Sequence, residues 1–138
     1  MCDVSVSTEL EAPVDTVWET IRDFKAIPRY ATGITQCKME GDGIGSIRKL
    51  TVASGEILER LESLDDQAKE ITYSLIKSPL PIESCQSTMS LSYVDEGKCT
   101  IRWSSSFEPD GVPEKEAIRV LSAVYKSGIE GLKRLLYR

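Results

Sequence analysis

The 138-residue chain carries 17 Lys+Arg against 22 Asp+Glu, a formal net charge of −5, with 41% hydrophobic residues. That is the composition of one globular domain over residues 1–138, and with no basic stripe to displace counterions from phosphates, nucleic acid is excluded as a partner. The absence of histidine also removes Ser-His-Asp and Cys-His nucleophile pairs, histidine metal ligands and the commonest general base.

In chain order, Val4, Val6 and Thr8 alternate with Ser5, Ser7 and Glu9, so residues 3–11 are predicted as a first strand, stopped by Pro13. Proline in a first turn followed by Val14, Val17, Trp18 and Ile21 at helical spacing predicts a short helix. A second helical turn around Lys25-Ala26-Ile27 is cut by Pro28. From Ile34 to Thr100 the period is two, broken by Gly41-Asp42-Gly43, Ser54-Gly55, Asp65-Asp66, Ser78-Pro79-Leu80-Pro81 and Asp95-Glu96-Gly97. Turn signals at that spacing predict six antiparallel strands. The last segment, 113–138, has proline at its start, Glu114 and Glu116 in its first turn and Lys133, Arg134 and Arg138 in its last, as the helix dipole favours.

This pattern predicts an α+β fold: a seven-stranded curved antiparallel sheet around a long C-terminal helix, in the order β-α-α-β-β-β-β-β-β-α. On that helix Ala117, Val120, Leu121, Val124, Gly128, Gly131, Leu132 and Leu135 fall on the sheet-facing side. Its centre is small, with Ala123, Ser127, Gly128 and Gly131. Glycine inside a helix costs about 0.5–1 kcal/mol relative to alanine, so either close contact with the sheet or a cavity wall has to explain the pair. The C-terminal Leu132, Leu135, Leu136 and Tyr137 would cover the sheet or meet a second subunit, leaving a monomer or weak homodimer.

The strand around residues 56–63 carries most of the functional argument. Glu56, Leu58, Arg60 and Glu62 share one face, which reads as wet, and this turns Glu59 inward between Ile57 and Leu61. An isolated buried carboxylate costs several kcal/mol unless paired or protonated. Arg48, on the same face of the preceding strand as Leu50 and Val52, lies across the turn at Ser54-Gly55, directly opposite Glu59 or diagonal to it. Two readings stay open: an internal ion pair that fixes strand pairing, or an Arg that clamps a ligand oxygen with Glu59 as acid or base. The other inward positions are Ile71, Tyr73 and Leu75; Cys85, Ser87, Met89, Leu91 and Tyr93; and Cys99, Ile101, Trp103, Ser105 and Phe107. A mostly apolar wall with a few hydroxyls suits either a packed core or a pocket for a small hydrophobic molecule with one or two oxygen functions. Ser104-Ser105-Ser106 has no accompanying base and reads as strand surface.

Cys2, Cys37, Cys85 and Cys99 show no CxxC spacing, so they read as reduced thiols in a reducing, cytoplasmic setting, with no metal site and no cofactor. No apolar run reaches about 18 residues, so no membrane span is expected.

Val-Trp-Glu-Thr-Ile-Arg-Asp-Phe, Gly-Asp-Gly-Ile-Gly-Ser-Ile-Arg-Lys-Leu, Leu-Glu-Arg-Leu-Glu-Ser-Leu-Asp-Asp and Ile-Arg-Trp-Ser-Ser-Ser-Phe together resemble the START/Bet v 1-like superfamily, in its polyketide cyclase/dehydrase (SRPBCC) branch, essentially end to end. The resemblance implies a helix-grip fold with a cavity between sheet and long helix. Lachrymatory factor synthase, in the same superfamily, is thought to use an Arg and a Glu that match Arg48 and Glu59. Abscisic acid receptors carry the same two residues, with a Ser-Gly-Leu-Pro-Ala gate, a His-Arg-Leu latch and a ligand-holding Lys. Here Ser54-Gly55 is followed by Glu56, Pro79-Leu80-Pro81 stands where the latch would be, and Thr35 stands where the Lys would sit.

Together these readings lead to one expectation and two alternatives. The expectation is a binding protein for a small hydrophobic ligand held by Arg48, Glu59, Tyr73, Cys85, Met89, Trp103, Val124 and Gly128. The first alternative is a cofactor-independent cyclase, dehydratase or isomerase in which Arg48 stabilises an oxyanion, Glu59 moves a proton and Tyr73 or Tyr93 assists. The second is an interaction module with a solid interior.

Overall fold

The structure, a computed structural model, describes residues 1–137. The strands are β1 (Cys2–Leu10), β2 (Gln36–Glu40), β3 (Ile47–Val52), β4 (Gly55–Asp65), β5 (Glu70–Lys77), β6 (Ile82–Asp95) and β7 (Lys98–Pro109). The helices are α1 (Val14–Ile21), a 3₁₀ helix (Phe24–Arg29) and α2 (Glu114–Leu136). Among the described residues no helix is long and apolar enough to cross a membrane.

All neighbouring strands pair antiparallel, in the order β1-β7-β6-β5-β4-β3-β2. Strands β2 to β7 follow one another as a meander, as their turn signals dictate. Because β1 and β2 form the two opposite edges, the chain between them has to span the whole sheet. Helix α1 and the 3₁₀ helix make that crossing and close one end of the curved sheet. Val17, Trp18 and Ile21 of α1, and Phe24, Ala26 and Ile27 of the 3₁₀ helix, are buried in doing so. Pro28 lies inside the 3₁₀ helix, whose short run tolerates a missing backbone donor that a longer α-helix would not.

The long helix α2 packs mainly on β1 and β7. Its buried face is Ala117, Leu121, Tyr125, Gly128, Ile129, Gly131 and Leu132, so five of the expected positions hold and the stripe is corrected by a small rotation, roughly a ninth of a turn at 3.6 residues per turn. Val124 is 42% exposed, and Val120 and Leu135 are only half-buried. Tyr125 and Ile129 take the inward places instead. At the helix end Leu135 and Leu136 pack partly against the core, and the Tyr137 hydroxyl accepts a hydrogen bond from the Glu11 backbone N–H at 2.7 Å. The helix terminus is thereby tied to the end of β1.

Two departures from simple alternation matter for the interior. Ser84 has φ +51°, and the β6–β7 register shifts between Glu83 and Gln86. This bulge lets Ile82 and Cys85, three residues apart, both turn inward and be buried. At the far end of β6, expected inward Tyr93 is 65% exposed, next to a second register shift between Tyr93 and Asp95. The inward run ends at Leu91, and Tyr93 has no place inside.

Candidate functional site

Arg48 on β3 and Glu59 on β4 are directly opposed partners in the ladder. Arg48 Nε donates to Glu59 Oε1 at 2.9 Å, and Nη2 lies 2.8 Å from the same oxygen, close but too poorly aligned for a good hydrogen bond. Nη1 donates to the Phe24 carbonyl at 2.8 Å. The guanidinium carbon is 3.8 Å from the centre of the Phe24 ring and 4.7 Å from that of Tyr73. Arg48 is thus held from several sides, with its side chain 3% exposed against 13% for Glu59. Burial alone would weaken its hold on the proton, but the Glu59 charge and the Tyr73 and Tyr30 hydroxyls more than offset this, and its pKa is raised.

Beside this pair lies a chamber of about 80 Å³ between the sheet, the residues following the 3₁₀ helix, the β5–β6 loop and α2. Glu59, Tyr73, Cys85, Trp103 and Val124 line it, together with Ser87, Tyr125 and aliphatic residues including Ile27, Leu50, Leu75 and Ile82. A wider groove of about 490 Å³ adjoins it and shares Ala31, Ile34, Ile57, Leu80 and Val124 as walls. Gly128 lines that groove. Of the residues singled out from sequence, Arg48 and Met89 reach neither space: Arg48 sits behind Glu59, and Met89, opposite Ile71 and Trp103, is core.

The chamber's polar groups are organised by the aromatic residues. Trp103 stacks on Tyr125 with centroids 4.8 Å apart and donates from Nε1 to the Tyr73 hydroxyl at 3.0 Å. Ser87 and Tyr125 share a hydrogen bond of 2.9 Å, and Cys85 Sγ lies 3.7 Å from Ser87 Oγ. Ser105, which strand alternation turns inward although the Ser104-Ser105-Ser106 run reads as surface, is buried, and among the described residues its hydroxyl has no well-aligned partner. Burial, then the Glu59 charge, raises the Tyr73 hydroxyl well above the ordinary tyrosine range. Burial likewise raises Tyr125, Cys85 and Tyr30, the last to about 12. These groups are neutral at ordinary pH and serve as hydrogen-bonding dipoles.

The two helix glycines serve close contact. A Cβ on Gly128 would stand 2.5 Å from Trp103 Cζ3, and one on Gly131 would stand 1.7 Å from the Tyr30 carbonyl oxygen. Gly128 is therefore both the seat of the Trp103 ring and part of the groove wall.

A family model described as polyketide cyclase / dehydrase and lipid transport matches residues 1–136. The chain belongs to that family. Among curated relatives, abscisic acid receptor PYL6 of Arabidopsis thaliana is 28% identical over 97% of this chain and 68% of the receptor. Abscisic acid receptor PYL10 of the same plant is 26% identical over 95% of the chain and 77% of the receptor. Among solved structures, an uncharacterised Bacillus thuringiensis protein superposes with a TM-score of 0.92 at 27% identity, covering 99% of this chain and 100% of that one. A START superfamily protein from Mycobacterium smegmatis superposes at 0.85 with 15% identity, over 98% of this chain and 97% of its own. The fold is the START/Bet v 1 helix-grip fold, and fold and family point to ligand binding in a hydrophobic cavity.

Sequence reasoning missed several residues that build this family member's site. Phe24 supplies both a carbonyl and a ring to Arg48, a role that alternation within strands cannot show. Tyr125 was legible in the spacing of Ala117, Leu121, Tyr125 and Ile129 at every fourth residue, but the small residues Ala123 and Ser127, both exposed, drew the stripe toward themselves. Among the described residues no group of three or more Cys, Asp or Glu side chains could hold a metal ion.

Proposed function

We propose that this protein binds a small, largely hydrophobic molecule with one or two oxygen functions, its body in the groove and its polar end in the chamber. The observation that carries this reading is that the two spaces adjoin, sharing Ala31, Ile34, Ile57, Leu80 and Val124 as walls. A groove of about 490 Å³ falls within the usual range for ligand sites and shares its apolar wall with a chamber bearing Glu59, Ser87 and Tyr125. The chamber alone, at about 80 Å³, has room for two or three water molecules at roughly 30 Å³ each, and so for one functional group. Two relatives are by name receptors for a small molecule, abscisic acid, which supports ligand binding without identifying the ligand here. Tyr73, Cys85, Trp103, Val124 and Gly128 serve as wall, Glu59 as polar contact, and Arg48 as the group that holds Glu59 in place.

A thermal-shift screen over hydrophobic alcohols, phenols, ketones and polyketide-like compounds tests this. Ligand at a hundred times its Kd stabilises by about 2.7 kcal/mol, a rise of several degrees in a chain of this size. Val124→Trp, which fills the groove from an exposed helix position, should leave the unliganded Tm unchanged and abolish the rise. If no compound shifts the Tm or alters the tryptophan fluorescence, the proposal fails.

The catalytic alternative is favoured by one observation: both Arg48 contacts converge on Glu59 Oε1, leaving Oε2 on the chamber wall without a hydrogen bond from any of the described residues. A carboxylate so placed is a candidate proton carrier for an enolisable ligand, with Arg48 a positioning residue. Recovery of chemically changed ligand after incubation, lost in Glu59→Gln, would establish it; unchanged ligand would dismiss it.

A further inference from the structure

Resting on the binding reading above, we infer that the ligand is uncharged and carries a hydroxyl group that donates to Glu59 Oε2, and that the site discriminates against carboxylic acids. The argument begins with the charges on the wall. Among the described residues, the chamber and groove together present one charged side chain, Glu59, and no Lys or Arg. The nearest candidate cation, Arg48, is spent: Nε and Nη2 meet Glu59 Oε1, Nη1 is bonded to the Phe24 carbonyl, and Phe24 and Tyr73 cover the guanidinium. A ligand carboxylate entering the chamber would lose its water and meet a carboxylate with no compensating cation. The chain's net charge of −5 acts in the same direction.

The hydrogen-bonding inventory then selects among neutral groups. Among the described residues Glu59 Oε2 is an acceptor with no donor of its own. Ser87 and Tyr125 together carry two hydroxyl hydrogens, and the bond between them uses one. The chamber therefore presents one open carboxylate acceptor, Glu59 Oε2, together with O–H donors: the remaining hydrogen of the Ser87–Tyr125 pair, that of Tyr73, whose oxygen accepts from Trp103, and that of Ser78, whose oxygen accepts from the Leu80 N–H. A hydroxyl group, which donates once and accepts, matches both kinds; a ketone or ether meets only the donors.

Dodecanol, dodecanoate and methyl dodecyl ether share one apolar body and differ only at the polar end. Titrated against the intact protein at about pH 8, where the acid is ionised, the alcohol should bind at least tenfold tighter than the acid and tighter than the ether. Equal or tighter binding of the acid, or an ether that binds as well as the alcohol, overturns the inference while leaving the groove a ligand site. If none of the three binds, while other hydrophobic compounds do, the hydroxyl assignment is equally overturned. If nothing in the wider screen binds, the binding reading itself falls. The variant Arg48→Met/Glu59→Gln removes the carboxylate without stranding a buried guanidinium, so the alcohol-to-acid ratio should drop toward one. A folded double variant that keeps the full ratio also refutes the assignment.

Discussion

Replacing Gly131 with alanine sets two opposing effects against each other at one atom. Helix propensity alone favours the change by about 1 kcal/mol, because alanine loses less backbone entropy than glycine. Against this, the new Cβ would sit 1.7 Å from the Tyr30 carbonyl oxygen and 2.6 Å from its carbon, where ordinary contact begins at 3.4 Å. The shortfall at the oxygen is 3.4 − 1.7 = 1.7 Å, and it is backbone against backbone, so no rotamer change relieves it. Tyr30 cannot easily retreat, being buried and held by Tyr30 N–H and Ala31 N–H bonds to the Ile27 carbonyl at 3.2 and 2.9 Å. Helix α2 must lift instead, loosening the packing of Ile129 and Leu132 beside it. Overpacking of this kind costs about 1–3 kcal/mol or more, and loosened neighbours add to it, so we expect a net loss of roughly 2–4 kcal/mol, or about 10 °C in Tm. Urea unfolding followed by circular dichroism measures it directly. Gly33, with nothing within 4 Å of its would-be Cβ, is the control: Gly33→Ala should be neutral or slightly stabilising. If Gly131→Ala is as stable as the parent or more so, helix propensity has won and the close approach to Tyr30 is not as described.

Further outcomes follow from the same interactions. Arg48→Met strands Glu59 beside the chamber and should cost about 3–5 kcal/mol, whereas Arg48→Met/Glu59→Leu should recover most of that; a double-mutant cycle in urea would expose strict additivity, contrary to this expectation. Tyr30, Tyr73 and Tyr125 all have folded pKa values raised by burial above the ordinary 10, Tyr30 to about 12. Their contribution is complete below pH 10 and is lost as pH rises through the folded values, because the unfolded chain ionises first. Their absorbance at tyrosinate wavelengths should therefore appear together with loss of circular dichroism, and ionisation of all five tyrosines in a native chain would contradict this. Asp66 has its pKa lowered by hydrogen bonds from Arg22, at 2.7 Å, and from Trp18 Nε1, at 2.8 Å. Its contribution is present above the ordinary value of 3.8 and lost as pH falls below it, so Asp66→Asn should flatten the acid limb of stability and of Trp18 emission.

The sheet was legible because alternation and turn residues report directly on which face a strand turns to water. Arg48 and Glu59 were placed on facing strands from the Ser54-Gly55 turn, and their pairing is direct. Glu59 was recognised as inward from the wet face of Glu56, Arg60 and Glu62 and from its aliphatic neighbours Ile57 and Leu61. What stayed hidden depends on contacts between elements. The two explanations of the helix glycines could be separated only by seeing Trp103 and the Tyr30 carbonyl against them. The inward turn of Tyr125 was obscured by Val124 beside it, since both are large and the stripe is set by what the sheet presents. Tyr93 obeys the alternation but lies beyond the covered part of β6, and strand periodicity does not say where cover ends. Whether Arg48 faces a ligand or its own fold rested on Phe24, a residue in a 3₁₀ turn that no strand pattern addresses.

The left-handed Ser84 in β6 works like a phase shifter in the wall. Upstream, Ile82 faces the interior; downstream, Cys85 and Ser87 do, and the one surplus residue reconciles the two parities. Excising Ser84 would leave Ile82 and Cys85 two residues apart and on one face without a bulge, whereas flattening the bulge with its residue retained would act on the fold as a frameshift acts on a message: either Ile82 or the whole run from Cys85 to Leu91 would exchange sides. Length changes in the β5–β6 connection before Ile82 leave this parity untouched, so divergence should be generous there, whereas a β-branched residue at position 84, which resists a positive φ, should unsettle the wall on both sides.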